Sequence, residues 1–197
     1  MKKEQTIKRI KENITEVEYK KLMNQVRGDE SIRDNSKQNL LRAFTILYYT
    51  GLRLNELQEL RISNIVELVD TGSTKLVLSK TKSQRKLFAG DVFKKQLKKL
   101  FNLTSKLEER VITKGSNKLN RTGINPIVFI AQVNKLMKQI LGDGYTSHSF
   151  RQGLITEMGS KQINTKIISK FIGHSDVKTT MRYINPTDGD LVKAMIR

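Results

Sequence analysis

Four short stretches carry side chains suited to one kind of chemistry: TGLRLNEL (50–57), SKTKSQRK (79–86), SHSFRQG (147–153) and FIGHSDVKTTMRY (171–183). Between them they offer Arg53, Lys80, His148, Arg151, His174 and Tyr183. Breaking a phosphodiester demands a nucleophile, a proton for the leaving oxygen, and cations against the non-bridging oxygens. A tyrosine hydroxyl, with an ordinary pKa of about 10, serves as nucleophile once a base and a cationic site help it ionise. Two arginines clamp a phosphate through planar forks of donors that lysine cannot imitate. A lysine on a hairpin can reach the leaving oxygen as general acid. No single one of these side chains is diagnostic. Arg53 can simply pair with Glu56, His174 after Gly173 can cap a helix C-terminus, and Tyr183 can be a half-buried aromatic.

Composition narrows the partner. The 197 residues hold 37 Lys plus Arg against 19 Asp plus Glu, a net charge of +18, which makes a polyanion the default ligand. Basic residues concentrate between 75 and 99, where Lys75, Lys80, Lys82, Arg85, Lys86, Lys94, Lys95, Lys98 and Lys99 face one acid, Asp91. Lys75, Lys82, Arg85 and Lys86 are the candidate DNA contacts, on a hairpin whose tip would meet phosphates. The absence of Cys excludes disulfide scaffolds, thiolate zinc sites and thiol nucleophiles, and suits a reducing, cytoplasmic setting. No apolar run approaches the roughly 20 residues that span a bilayer, so no membrane partner is expected. Neither an acidic two-metal cluster nor a Walker-type glycine loop is visible, so neither metal nor ATP is implied as a cofactor.

Elements to position these residues follow from periodicity. Residues 1–13 read as a short basic leader. Thr15 with Glu18 forms a capping box, and Tyr19, Leu22, Met23 and Val26 continue at helical spacing to Gly28. A second helix buries Leu40, Leu41, Phe44, Leu47 and Tyr48 and stops near Gly51; a third starts around Leu54. Short strands are expected at 66–70, 75–80 and 85–89, the last two flanking a polar turn. A lysine-rich helix follows through Val92–Phe101. Residues 104–125, polar and with two glycines, read as a flexible stretch. An amphipathic helix follows Pro126, then shorter helices near 148–159, 165–172, 177–184 and 188–196. The expected fold class is α+β, mainly helical, with a small antiparallel three-stranded sheet.

Taken in order, an arginine in a TGLR box, a lysine on a β-hairpin, an H-x-x-R box, a GH box and a tyrosine resemble the tyrosine recombinases, the family of lambda-type integrases. Arg151 lies three residues after His148, His174 lies 26 after His148, and Tyr183 nine after His174, all in the family's pattern. The chain's two histidines are both in these boxes. The resemblance spans residues from about 14 to 185 and implies the family's catalytic-domain fold over 14–197. It assigns Tyr183 as the nucleophile that forms a 3′-phosphotyrosyl bond, and Arg53, Arg151 and His174 as phosphate ligands. It further assigns Lys80 as general acid and His148 as base for the tyrosine. Lys82 points the same way from a strand and is the alternative to Lys80.

The implied partners are double-stranded DNA, further copies of the chain in a tetramer on that DNA, and an accessory or directionality protein. Gln152 stands where many relatives have a second histidine. In most relatives a core-binding domain of about a hundred residues, the size of a small domain, precedes the catalytic domain; with the resemblance starting near residue 14, the expectation here is the catalytic domain without it. Two other activities fit the same residues: relaxation of DNA in the manner of a type IB topoisomerase, and non-catalytic DNA binding.

Overall fold

The computed structural model of the chain describes residues 12–78, 84–104, 107–114 and 122–184, with Gly189, Val192 and Met195 beyond them. Helix α1 (Glu16–Gly28) begins where the sequence places it. The Thr15 hydroxyl donates to Glu18 and accepts from Val17 N–H at 3.2 Å, and the Glu18 carboxylate accepts from Thr15 N–H at 2.9 Å, so two backbone donors at the helix start are satisfied. Tyr19, Leu22, Met23 and Val26 turn inward. Helix α2 (Asp34–Thr50) is buried over most of its circumference and runs through the core to Gly51, whose φ of +56° ends it in the left-handed region. A side chain at Gly51 would also meet Ile172 Cδ1 at 2.8 Å. The left-handed φ is what favours glycine there, the Ile172 contact being with a side-chain end that can move.

After α3 (Leu54–Leu57) the structure departs from expectation. Residues 66–70 are not a strand but part of α4 (Ile62–Thr71). Ile62, Ile65, Leu68 and Val69 are buried at a spacing of three, three and one, a helical stripe within which the β-branched Val66 and Val69 and the local Val66-Glu67-Leu68 alternation imitate a strand. The hairpin is therefore two-stranded among the described residues: β1 (Ser73–Val77) pairs antiparallel with β2 (Gln84–Phe88), with Leu76 opposite Arg85 and Thr74 opposite Leu87. Strand alternation turns Thr74, Leu76, Arg85 and Leu87 inward and leaves Lys75, Lys86 and Phe88 outside. The hairpin tip, 79–83, lies outside the described residues.

Helix α5 (Asp91–Leu100) returns the chain to the core through Phe93 and Leu97. The stretch expected to be loose is packed over its described part. Val111 N–H donates to Leu60 O at 3.0 Å, Ile62 N–H to Glu109 O at 2.9 Å, and Asn39 Nδ2 to Thr113 O at 2.8 Å. Val111, Ile112 and Thr113 are buried, and a short ladder of β3 (Thr113–Lys114) with β4 (Thr122–Gly123) closes the segment. Its polar composition conceals an anchor that lies on other elements, chiefly the buried Asn39 of α2.

Helices α6 (Pro126–Leu141), α7 (Ser147–Ser160), α8 (Thr165–Ile172) and α9 (Val177–Met181) complete the fold. Phe150 of α7 stacks on Phe44 of α2 in the main core, while Ile155 of α7 joins Ile168 and Ile172 in a smaller apolar cluster. Residues 12–14, the last two of the expected leader and the one after it, lie along α7: Ile14 N–H donates to Ser149 O at 3.1 Å and Glu12 N–H to Gly144 O at 3.3 Å. Gly153 makes this approach possible, since a Cβ there would sit 2.0 Å from Ile14 O. Gly189, Val192 and Met195, from the last expected helix, are helical and exposed. Among the described residues no helix is long and apolar enough to cross a membrane.

Candidate active site

The ends of three helices meet between the two apolar clusters. The C-terminus of α2 turns at Gly51 and places Arg53 at the entrance to α3, where its N–H and guanidinium both bond Glu56, the latter at 2.7 Å from Nη1 to Oε1. The pairing available from sequence is thus realised. It does not consume Arg53, whose side chain remains 42% exposed. Glu56 is buried, and its other oxygen accepts from Arg85 Nη1 at 2.9 Å. One carboxylate holds two arginines.

Arg85 is the first correction to the expected site. Its guanidinium does not face outward with Lys75 and Lys86 but lies buried against the core. Besides Glu56, Nη2 donates to Thr50 O at 2.9 Å and Phe171 O at 3.3 Å. Arg85 shares strand parity with Leu87, and a strand with its apolar side inward carries every second residue with it.

Arg151 projects from α7, whose start is fixed by Ser149 Oγ accepting from Thr146 N–H at 3.1 Å and by Asn134 accepting from Ser147 N–H at 2.8 Å. Its Nη1 donates to Gly51 O at 2.8 Å, which ties α7 to the turn that presents Arg53. Its Nε–H donates to His174 Nε2 at 3.3 Å. Nη2 is buried with no hydrogen-bond partner, a donor left for a ligand. His174 follows Gly173, the left-handed C-cap of α8, and its N–H donates to Ser169 O at 2.9 Å, so it caps the helix as well as facing Arg151. Arginine cannot accept a hydrogen bond, so His174 Nε2 must be unprotonated. The ring is then neutral, with its proton on Nδ1 and donated to the buried Thr180 hydroxyl at 2.8 Å.

The electrostatics point the same way. Arg53 and Arg85 share the Glu56 carboxylate and Arg151, bonded to Gly51 O, adds a third cation, so the cluster carries a net charge of +2 without counting His174. Burial, then the charges of Arg85 and Arg53, push Arg151 down to about 9; Glu56 and the Tyr183 phenol act in the opposite direction. Burial and then Arg151, Arg53 and Arg85 push His174 down to about 4. Burial favours a raised pKa for Glu56, but hydrogen bonds from Arg53 and the charges of Arg85 and Arg53 hold it below the ordinary carboxylate range. The site is short of negative charge, the condition that a bound phosphate relieves.

Of the residues singled out in the sequence, the fold brings together Arg53, Arg151 and His174, with Tyr183 within electrostatic range of Arg151. Tyr183 lies in the turn after α9, half-buried against the small apolar cluster, with its N–H on Thr180 O at 3.1 Å. His148 sits exposed in the first turn of α7. Lys80 and Lys82 lie outside the described residues. Lys75 and Lys86 are exposed, the latter 5.3 Å from the Phe88 ring centroid. Sequence reasoning missed Thr180, for which no local signal exists. It assigned Glu56 only a local pairing, although its place three residues into α3 marks it as a capping carboxylate. Among the described residues no group of three or more His, Asp or Glu is placed to hold a metal ion.

Comparison with known proteins agrees. Residues 12–189 match the phage integrase family. The chain is 25% identical over 187 residues to the tyrosine recombinase XerC of Caldanaerobacter subterraneus subsp. tengcongensis, covering 92% of this chain and 49% of that protein. It is 27% identical over 205 residues to the TnP I resolvase of Bacillus thuringiensis, covering 99% of this chain and 64% of the other. In fold it resembles the crystal structure of the XerA recombinase, with a TM-score of 0.68 and 19% identity over 98% of this chain and 65% of that one. It also resembles the Tn1549 transposon integrase in complex with a circular-intermediate DNA, with a TM-score of 0.72 and 15% identity over 98% of this chain and 67% of the other. The chain spans between about half and two thirds of the length of these curated relatives.

Proposed function

Because this chain belongs to the phage integrase family, we propose that it is a site-specific recombinase that cleaves and rejoins duplex DNA through Tyr183. The observation that carries this reading is the buried, unpartnered Nη2 of Arg151, beside two further arginines whose one carboxylate partner is Glu56. A phosphodiester entering there gains donors from Arg53 and Arg151 and supplies the missing negative charge.

The chemistry is a transesterification. Tyr183 Oη attacks the phosphorus; the bond from phosphorus to the 5′-oxygen breaks as the bond to tyrosine forms. The phenolic proton passes to His148, and the leaving 5′-oxygen takes a proton from Lys80. A 5′-hydroxyl then reverses the step on the same or a partner strand, so the bond energy is conserved and no nucleotide is consumed. The arginines provide the charge neutralisation that a divalent cation provides in other nucleases, so the reaction is expected to proceed in EDTA. His174, with Nε2 engaged by Arg151, becomes a phosphate donor only after Arg151 Nε turns to the phosphate and the ring proton moves from Nδ1 to Nε2. The Thr180 hydroxyl can follow that change by donating instead of accepting.

Exchange between two duplexes needs four such sites, so four copies assemble on DNA in this proposal. The test uses two plasmids carrying DNA that flanks the gene, incubated with protein in EDTA. Recombinant junctions are the expected product. Relaxed plasmid without junctions would replace the recombinase by a topoisomerase, and intact supercoiled plasmid with retained DNA binding would leave a binding protein.

A further inference from the structure

The buried Arg85 has no part in the chemistry above, yet it lies where the site's supports converge. Its guanidinium meets three groups: Glu56 Oε2 at 2.9 Å, Thr50 O at 2.9 Å and Phe171 O at 3.3 Å. Thr50 is the last residue of α2, and Arg53 follows it by three. Phe171 is in the last turn of α8, and His174 follows it by three. One side chain thus gathers the carbonyl ends of two helices, whose dipoles favour a cation, immediately before the residues those helices deliver. Its backbone belongs to β2, the returning strand of the β1–β2 hairpin. Gly173 is closely fitted to it, since a Cβ there would lie 3.2 Å from Arg85 Cδ.

We propose that Arg85 is a positioning residue that holds Arg53, His174 and the β1–β2 hairpin in one register, and that sharing Glu56 with it leaves Arg53 able to turn to a phosphate. This rests on the recombinase reading for its functional consequence, although the positioning itself does not. Without Arg85, the buried Glu56 carboxylate has Arg53 as its remaining cation, and competes with the phosphate for that guanidinium. Lysine cannot substitute, because one ammonium lacks the planar fork that reaches a carboxylate and two carbonyls together.

The test compares wild type with R85K and R85Q in two measurements. The first is single-turnover cleavage of a nicked duplex from the flanking DNA at saturating concentration, beside duplex affinity. Loss of a pre-set Arg53 is expected to lower the cleavage rate by about tenfold or more in both variants, with Kd changed by less than about threefold. The second is the 15N-imidazole titration of His174, which is readable because the chain has two histidines. His174 is faced by Arg151, Arg53, Arg85 and Glu56, so removing the Arg85 charge in R85Q is expected to move its titration upward.

Wild-type rates in R85K and R85Q overturn the proposal. So does a lowered rate with an unmoved His174 titration in folded R85Q, which reduces Arg85 to a stability element. Should R85Q fail to fold, the rate-against-Kd split in R85K decides. Should wild type itself give no cleavage, the recombinase reading fails while the His174 titration still decides whether Arg85 sets the site.

Discussion

The same substitution at two glycines should shift stability in opposite directions. Gly28 ends α1, and a Cβ there meets nothing within 4 Å, so Gly28→Ala should stabilise by up to about 1 kcal/mol from helix propensity. Gly153 lies within α7, where propensity favours alanine equally. Its Cβ, however, would lie 2.0 Å from Ile14 O and 2.9 Å from Ile14 C, backbone atoms that cannot rotate aside. Relief requires residues 12–14 to leave α7. That exposes Ile14, now 3% accessible, at about 2 kcal/mol. It also breaks the Ile14–Ser149 and Glu12–Gly144 hydrogen bonds, at about 1 kcal/mol each. Offset by the propensity gain, Gly153→Ala should destabilise by about 3 kcal/mol. Urea unfolding followed by circular dichroism, with equal m-values for the variants, measures both. A Gly153→Ala protein as stable as wild type or more so would refute the placement of residues 12–14 along the helix that carries His148 and Arg151.

Other consequences are as direct. His174 should stay neutral until about pH 4 in the free protein; its pKa is lowered from an ordinary 6.5, so its contribution to stability is lost as pH falls from about 6.5 to about 4, and a titration above pH 6 would contradict the Arg151 contact. Thr180→Val should leave the His174 Nδ1–H without its acceptor, at a cost of about 1 kcal/mol in urea unfolding, while 15N shifts still show Nδ1–H because Arg151 holds Nε2; a shift to Nε2–H would contradict the Arg151 contact. Lys80→Ala should abolish cleavage of an ordinary nicked duplex but cleave one with a bridging 5′-sulfur, whose thiolate leaves unprotonated; if only Lys82→Ala behaves so, Lys82 is the acid. Lys75→Ala and Lys86→Ala, on the outer face of the hairpin, should each lower the slope of log affinity against log salt by about 0.9 without changing cleavage at saturating DNA.

Those features of the fold whose cause is local were legible in the sequence. The Thr15–Glu18 box, the Gly51 and Gly173 stops and the Asn-capped Pro126 helix all carry their signals within a few residues. The segment at 66–70 misled because Val66 and Leu68 alternate with Glu67 as a strand would, whereas the helical period shows only when the window is extended back to Ile62 and Ile65. The anchoring of 107–114 was invisible because Asn39, the residue that satisfies it, is some seventy positions away. In the candidate site, types and spacing singled out Arg53, Arg151 and His174, which the fold brings together, but not the arrangement that tunes them. Arg85 counted as one more basic residue in a basic hairpin, though its parity with Leu87 already placed it inside. Thr180 looked like any threonine in a short helix until His174 was found 2.8 Å from it.

The central claim is that Tyr183 becomes joined to DNA, and trapping that bond tests it most directly. End-labelled, nicked duplexes from the flanking DNA, in which the cleaved strand loses a short 5′-hydroxyl fragment, are incubated with the full chain in EDTA and resolved under denaturing conditions. The account predicts a labelled protein–DNA band in wild type, its attachment mapped to the peptide containing Tyr183, and no band with Tyr183→Phe. A band of equal intensity with Tyr183→Phe, or attachment at another residue, would contradict it.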